Sequence, residues 1–218
     1  MINEYKSIAS VGEAEADRIR VSRATISMNE YYRNGTLISQ PRINGNFVNR
    51  ITRDLDPKAT FDLEFFVANM KYRVDKDGIE VEPKVLEVQA VVPQYGDKVD
   101  VMTLIATAPD TINGIENYWM KDATVRVQGD LDFSFSVEEY QVGESAFGTP
   151  SMHKRTITTN DFVITSGSVP YTDGEQEFDK QDISKAVIER RQRLENDKSK
   201  ERVKQAPAPN MDDPLIGF

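Results

Sequence analysis

Few residues in this chain could make or break a covalent bond. His153 is the only histidine and there is no cysteine, so thiolate nucleophiles, thiolate metal sites and disulfides are ruled out. His153 lies in a polar stretch, Thr149 to Thr158, that reads as a loop, where a single imidazole belongs to the surface rather than to catalysis. Three spaced carboxylate pairs, Asp54/Asp56, Asp75/Asp77 and Asp130/Asp132, would have to converge on a metal to support hydrolysis. Each sits at a turn or strand end, where acidic residues are common. The sequence has no phosphate-binding glycine loop, nucleophile elbow or histidine-rich metal motif. The expectation is a non-catalytic chain with no cofactor and no metal.

Non-covalent chemistry is better represented. The last residues run Met211-Asp212-Asp213-Pro214-Leu215-Ile216-Gly217-Phe218. A terminal phenylalanine offers its ring to a pocket and its own α-carboxylate to an arginine or lysine. Asp212 and Asp213 steer such a tip towards basic surfaces, and Leu215 and Ile216 add apolar contact. The preceding Gln205-Ala206-Pro207-Ala208-Pro209-Asn210 is a stiff, extended linker. These features read as a protein-binding tip on a flexible tail.

Composition limits what the rest can be. The 218 residues suit one globular domain with extensions, and 39% hydrophobic with 29% charged residues describe a soluble chain. No apolar run could span a bilayer, and Met1 to Lys6 lacks the order of a secretory signal. A reducing cytoplasm is the expected home, without a membrane partner. The formal net charge is −9, from 36 acidic and 27 basic residues, and it is unevenly placed. From Arg18 to Lys58, Arg18, Arg20, Arg23, Arg33, Arg42, Arg50, Arg53 and Lys58 stand against Glu30, Asp54 and Asp56, a local +5. From Ala59 to Thr172, nine basic residues face 18 acidic ones. Screening limits distant charges to roughly 10 Å, so a basic patch can hold phosphates on an acidic protein.

Elements that could position such groups are mainly strands. Gly12 to Asp17 suggests a helical turn or two, and Arg18 to Met28 an extended segment. Asn34-Gly35 between strand-prone residues predicts a hairpin. From Ile43 to Pro170 nearly everything reads as strand and turn: Phe61–Met70, a turn at Asp77-Gly78, Val85–Val92, Val99–Ala106, and Thr124–Phe135 with a bend at Gly129. One helix is expected from about Asp110, as N-cap, to Trp119, and Arg155–Ser168 reads as a closing strand or strand pair. Five or so strands with one helix before the penultimate strand fit a small closed barrel, a mainly β fold of the OB type. Asp182–Lys204 predicts a charged helix with Ile183, Val187 and Leu194 on a thin apolar stripe. The expected divisions are 1–42, an extension with a hairpin; 43–172, the barrel; 173–204, a polar loop and amphipathic helix; and 205–218, the tail.

Three stretches, in order, resemble the bacterial single-stranded DNA-binding protein family. Asn44-Gly45-Asn46-Phe47-Val48-Asn49-Arg50-Ile51-Thr52-Arg53-Asp54-Leu55-Asp56 is similar to its first barrel strand and the turn after it. Ile115 to Gly129 resembles the helix end, the lysine-containing turn and the Val-x-Val-x-Gly strand. Arg155-Thr156-Ile157 through Asp161-Phe162-Val163-Ile164 falls where the closing strand would lie. The tip resembles that family's acidic end followed by apolar residues and phenylalanine. It departs in having two aspartates, Pro214 before the aliphatics and Gly217 in the penultimate place, which bears on recognition by the usual partners.

The resemblance implies a protein that holds single-stranded DNA and recruits replication or recombination proteins through its tip. Bases would stack on aromatic faces beside a groove of cations. Strand alternation puts Phe61, Leu63 and Phe65 in the core. That leaves Phe66 and Tyr72 as stacking residues, with Phe133, Phe135 and Tyr140 in or near what the resemblance makes a DNA-wrapping loop. Arg50, Lys71, Arg73 and Arg126 are the cations expected near phosphates, and Trp119 is expected in the core. The extended N-terminus, the long loop before Arg155 and the charged helix suggest a phage or plasmid version serving replication, recombination or repair. A homo-oligomer is compatible with this reading. An OB-fold adaptor for proteins, or a structural component of a virus particle or secretion machine, is the competing expectation.

Overall fold

The computed structural model describes residues 5–52, 56–141, 152–172, 174 and 177–205. In chain order its elements are α1 (Ile8–Val11), β1 (Ile19–Ser22), β2 (Thr25–Arg33), β3 (Thr36–Asn44), β4 (Phe47–Arg50) and β5 (Thr60–Tyr72). There follow β6 (Leu86–Gln94), β7 (Lys98–Ala106), α2 (Pro109–Tyr118), β8 (Thr124–Gln141), β9 (Met152–Gly167) and α3 (Lys180–Gln205). The chain divides into two compact units. One comprises Met1–Arg53, Tyr95–Val99 and Ser184–Phe218, the other Asp54–Gln94 and Asp100–Ile183.

The second unit is built on a closed barrel in the order β5-β6-β7-β9-β8. β5 pairs antiparallel with β6 and with β8, β8 pairs antiparallel with β9, and β7 meets β9 in parallel at Ile105↔Val163. Numbered within the barrel, the order is 1-2-3-5-4 with the fourth strand closing on the first. That is the OB-fold arrangement, and α2 lies before the penultimate strand as expected. Phe61, Phe65, Val88, Ala90, Leu104, Val125, Val127 and Ile164 fill the interior. Each fully buried Val, Leu or Phe side chain contributes about 1.5–3 kcal/mol. Trp119 is buried as expected, its ring edge-on to Phe65 at 5.9 Å, and its Nε1 donates to the Ser168 carbonyl at 2.8 Å.

Gly129 marks the expected bend. The β8–β9 register shifts between Gln128 and Gly129, and a Cβ at Gly129 would lie 2.1 Å from the Val163 carbonyl oxygen and 2.5 Å from Phe61 Cζ. No side chain fits there, which is why glycine occupies the closest backbone approach.

Several expected boundaries move. The Asn44–Asp56 stretch does not supply the first barrel strand: β4 pairs with β1 in a separate two-stranded sheet, and the barrel begins at Thr60. Local strand character cannot reveal a strand's partner. The N-cap of α2 is Ala108 rather than Asp110, because Pro109 takes the first helical turn, where its missing N–H costs nothing. The N-terminal helical turn falls at Ile8–Val11, before Gly12 rather than after it, with Ser7 and Ser10 forming a reciprocal cap.

The first unit holds two antiparallel pairs, β1–β4 and β2–β3. β2 and β3 form the expected hairpin, closed by Asn34 and Gly35 at φ 52° and 76°, the left-handed values of a two-residue turn. The helix anticipated over Asp182–Lys204 forms as α3, and the side chain of Asp179 caps it by accepting from the backbone N–H groups of Gln181 and Asp182. Within the first unit α3 lies along the hairpin. Arg190 and Arg193 reach Glu30, Lys198 covers the ring of Tyr32 at 5.6 Å, and Glu201 accepts from the Gly35 N–H at 3.2 Å. Leu194, one member of the predicted apolar stripe, is buried.

Candidate nucleic-acid interface

β8 and β9 outrun the barrel. The pairing of β8 with β5 ends at Asp130, whereas its pairing with β9 continues from Leu131↔Phe162 to Gln141↔Met152. Beyond Asp130 the two strands therefore form a ribbon, roughly 33 Å long at about 3.3 Å per residue. The sequence placed Thr149–Thr158 in a loop, yet Met152–Thr158 is strand and His153 pairs with Tyr140.

Cross-strand pairs sort the ribbon into two faces. One carries Phe133, Val137 and Glu139 opposite Asn160, Thr156 and Lys154. Phe133 is 44% exposed, with its ring edge-on to Phe162 at 5.7 Å, and Phe162 meets Phe61 in the same way at 5.5 Å. An aromatic file thus leads from the barrel interior to an open ring. The other face carries Asp132, Ser134, Glu138 and Tyr140 opposite Asp161, Thr159, Arg155 and His153. Tyr140 is 48% exposed and its ring lies 6.1 Å from that of His153. Tyr140 is therefore on the opposite face from Phe133. Both offer the flat, accessible surface that base stacking requires. Phe135 falls within β8, opposite Thr158.

A second cluster gathers where β5 ends. Arg73 donates from Nε to Glu87 at 2.8 Å and lies 3.9 Å from Asp161 on β9, while Lys71 shares Glu87 at 3.5 Å. Tyr72 donates its hydroxyl to Glu116 on α2 at 2.7 Å, and the ammonium of Lys84 sits 5.0 Å from its ring. The Glu116 carboxylate, by accepting that hydrogen bond, holds the Tyr72 hydroxyl pKa above its ordinary value. One ring face of Tyr72 is thus already occupied by a cation.

The expected cations all carry carboxylate partners. Arg126 grips Asp62 with two bonds of 2.8 and 2.9 Å. The guanidinium's hydrogen bonds hold the Asp62 carboxyl below its usual value, against a smaller opposing desolvation. Arg50 lies in the first unit on β4, paired with Asp17 at 2.8 Å and 5.1 Å from the ring of Tyr5. These are exposed pairs, worth about 0–1 kcal/mol each, so a phosphate could displace the carboxylate at small cost.

Phe66 is a correction. It is only 5% exposed and offers no face to a base. Its neighbour in the register, Thr124, is fully buried, and the chain after β9 returns over that position. Tyr171 N–H donates to the Thr124 carbonyl, and Phe178 N–H to the Thr124 hydroxyl. Both faces of β5 are covered there, so alternation does not separate inside from outside.

His153, Lys154 and Arg155 were missed as a group. The signal was a run of three basic or titratable residues followed by β-branched Thr156-Ile157-Thr158. Lys154 pairs with Glu139 at 2.8 Å. The tip residues Asp212, Asp213, Leu215, Ile216 and Phe218 lie outside the described residues. Among the described residues no group of three His, Asp or Glu side chains is placed to hold a metal ion, and no helix is long and apolar enough to cross a membrane.

The sequence matches the YorF family model over residues 1–200. The chain belongs to the YorF family. The bacterial single-stranded DNA-binding family that its motifs resemble is a separate description, and no curated protein matches this YorF chain. Among solved structures it is similar to the Saccharomyces cerevisiae mitochondrial single-stranded DNA-binding protein Rim1. One crystal form matches at 10% identity over 52% of this chain and 96% of that one, with a TM-score of 0.32. A second form gives 14% identity, 52% and 94% coverage and a TM-score of 0.33. A Plasmodium falciparum SSB complex with single-stranded DNA matches at 14% identity, covering 56% of this chain and all of that one, at 0.32. The OB assignment for this YorF member rests on the barrel's own strand order and pairing.

Proposed function

We propose that the chain is a non-catalytic, sequence-tolerant binder of single-stranded DNA. The observation that carries this reading is the β8–β9 ribbon growing out of an OB barrel, with Phe133 exposed near its base and Tyr140 exposed near its end, on the face that carries His153 and Arg155. OB barrels hold oligonucleotides on one strand face and the adjoining loops, and stacking tolerates any base because every base has a π-face. Lys71, Arg73 and Arg126 supply phosphate contacts by exchanging their carboxylate partners, and Arg50 is a phosphate contact of the first unit taken by itself. Tyr72 extends the stacking surface, and the side chain of Phe135, the other expected stacking residue of β8, lies outside the described ones. The 211–218 tip recruits a replication or recombination partner, and the setting is a phage or plasmid function in the bacterial cytoplasm.

A second reading, an OB adaptor for proteins, is favoured by the net charge of −9 and by the pairing of all four of these cations. Fluorescence anisotropy separates the two. A labelled oligo(dT) titrated with the full chain at low and moderate salt, beside a duplex of equal length, should show salt-sensitive binding of the single strand alone. An absence of binding at low salt would overturn the proposal and favour the adaptor.

A further inference from the structure

We infer that His153 makes the ribbon a pH-tuned grip on the strand, so that DNA is held more tightly as pH falls from 8 to 6. The inference rests on the single-strand reading and specifies the regulation of that same surface.

The charge at the end of the ribbon is nearly balanced. Glu138 and Glu139 on β8 stand against Lys154 and Arg155 on β9. With a neutral imidazole these side chains together carry no net charge; with an imidazolium they carry one positive charge. One proton therefore decides whether this part of the ribbon attracts a phosphate. His153 is the only histidine and the chain has no cysteine, so no other side chain ordinarily changes charge between pH 5 and 8.

Position makes that proton useful. His153 faces Tyr140 across the ribbon, and the pair Glu138 and Arg155 lies two residues further along the same face, towards the barrel. Glu139 and Lys154 project to the other face, where they neutralise each other. Among the described residues Arg155 has no ion-pair partner. A base stacked on Tyr140 would bring its phosphate between Arg155 and His153. An imidazolium at that place donates a charge-assisted hydrogen bond to the phosphate that a neutral imidazole does not.

The test is oligo(dT) anisotropy with the full chain at fixed ionic strength, from pH 6.0 to 8.0, for the natural protein, H153Q and R155Q. The natural protein should bind about three- to tenfold more tightly at pH 6 than at pH 8, the effect of one added charge-assisted contact. H153Q should bind equally at both, and R155Q should bind more weakly at both while keeping the ratio. A ratio near one in the natural protein, or one that survives H153Q, overturns the inference while leaving single-strand binding intact. No binding at any pH overturns the single-strand reading itself.

Discussion

Glu30 on the β2–β3 hairpin is the anchor of Arg190 on α3: its side chain is 1% exposed, and it accepts from both Nε and Nη2 of that guanidinium. Arg193 approaches the same carboxylate at 3.5 Å. From Ser184 onward this charged helix buries one apolar side chain among those described, Leu194, so its place on the hairpin depends on this buried charge cluster. Replacing one partner strands the other, which is costlier than the pair's net value.

Glu30→Gln should therefore loosen α3 from the hairpin, at a cost of about 2–4 kcal/mol for leaving buried arginine charge uncompensated. Hydrogen exchange should report it as faster exchange across Ser184–Glu201, with the barrel strands unchanged. Unaltered protection in α3 would show that the cluster does not hold the helix.

Gly129→Ala should be among the most damaging single changes. The added Cβ meets a backbone oxygen at 2.1 Å, which cannot rotate away. A loss of about 3 kcal/mol or more is expected, seen as a large drop in the urea midpoint. A midpoint within experimental error of the natural protein would mean that the β8–β9 bulge relaxes freely.

Tyr140→Ala should weaken oligo(dT) binding by about 1–3 kcal/mol, the range for one lost stacked base, with little change in melting temperature because the ring is half exposed. Phe133→Ala should lose affinity and also stability, since its edge packs on Phe162 and such pairs contribute about 0.5–1.5 kcal/mol. Full affinity in both variants would remove the ribbon from the DNA path.

Asp62 supplies a pH dependence of stability. Its folded pKa is lowered from 3.8, chiefly by the Arg126 hydrogen bonds, so its contribution is present above about 3.8 and lost as pH falls through the folded value. The pair is exposed, so the effect should stay under about 1 kcal/mol. Urea midpoints between pH 2 and 5 should fall less steeply for D62N than for the natural protein; equal slopes would assign the acid sensitivity elsewhere.

Deletion of residues 211–218 should leave oligo(dT) affinity within twofold while abolishing capture of a replication or recombination partner. A large change in DNA affinity would show that the tip acts on the DNA site instead.

Much of this architecture was legible because it is written locally. Asn34-Gly35 demands a tight turn, Leu86–Gln94 and Lys98–Ala106 are dense in β-branched residues, and Gly129 interrupts a clean alternation. What the sequence hid depends on partners distant in the chain. Phe66 looked open because nothing near it reveals that Tyr171 and Phe178 return over Thr124. Met152–Thr158 looked like a loop because both faces of a free ribbon meet solvent, so no apolar alternation marks it. Strand character in Phe47–Arg50 was visible, but not that β1 rather than the barrel would take it. The candidate cations were identifiable as residues, whereas their carboxylate partners follow only from register.

The bulge at Gln128–Gly129 has a reach well beyond its own contacts. Side chains alternate with a period of two, so every position outward of the bulge inherits its orientation from this one irregularity. Deleting a residue there would turn Phe133 to the side now occupied by Tyr140 and reverse the whole arm, although no residue in the arm had changed. The barrel thus acts as an indexing device: a misfit between two backbones in its wall dictates which chemistry the ribbon presents some thirty ångströms away.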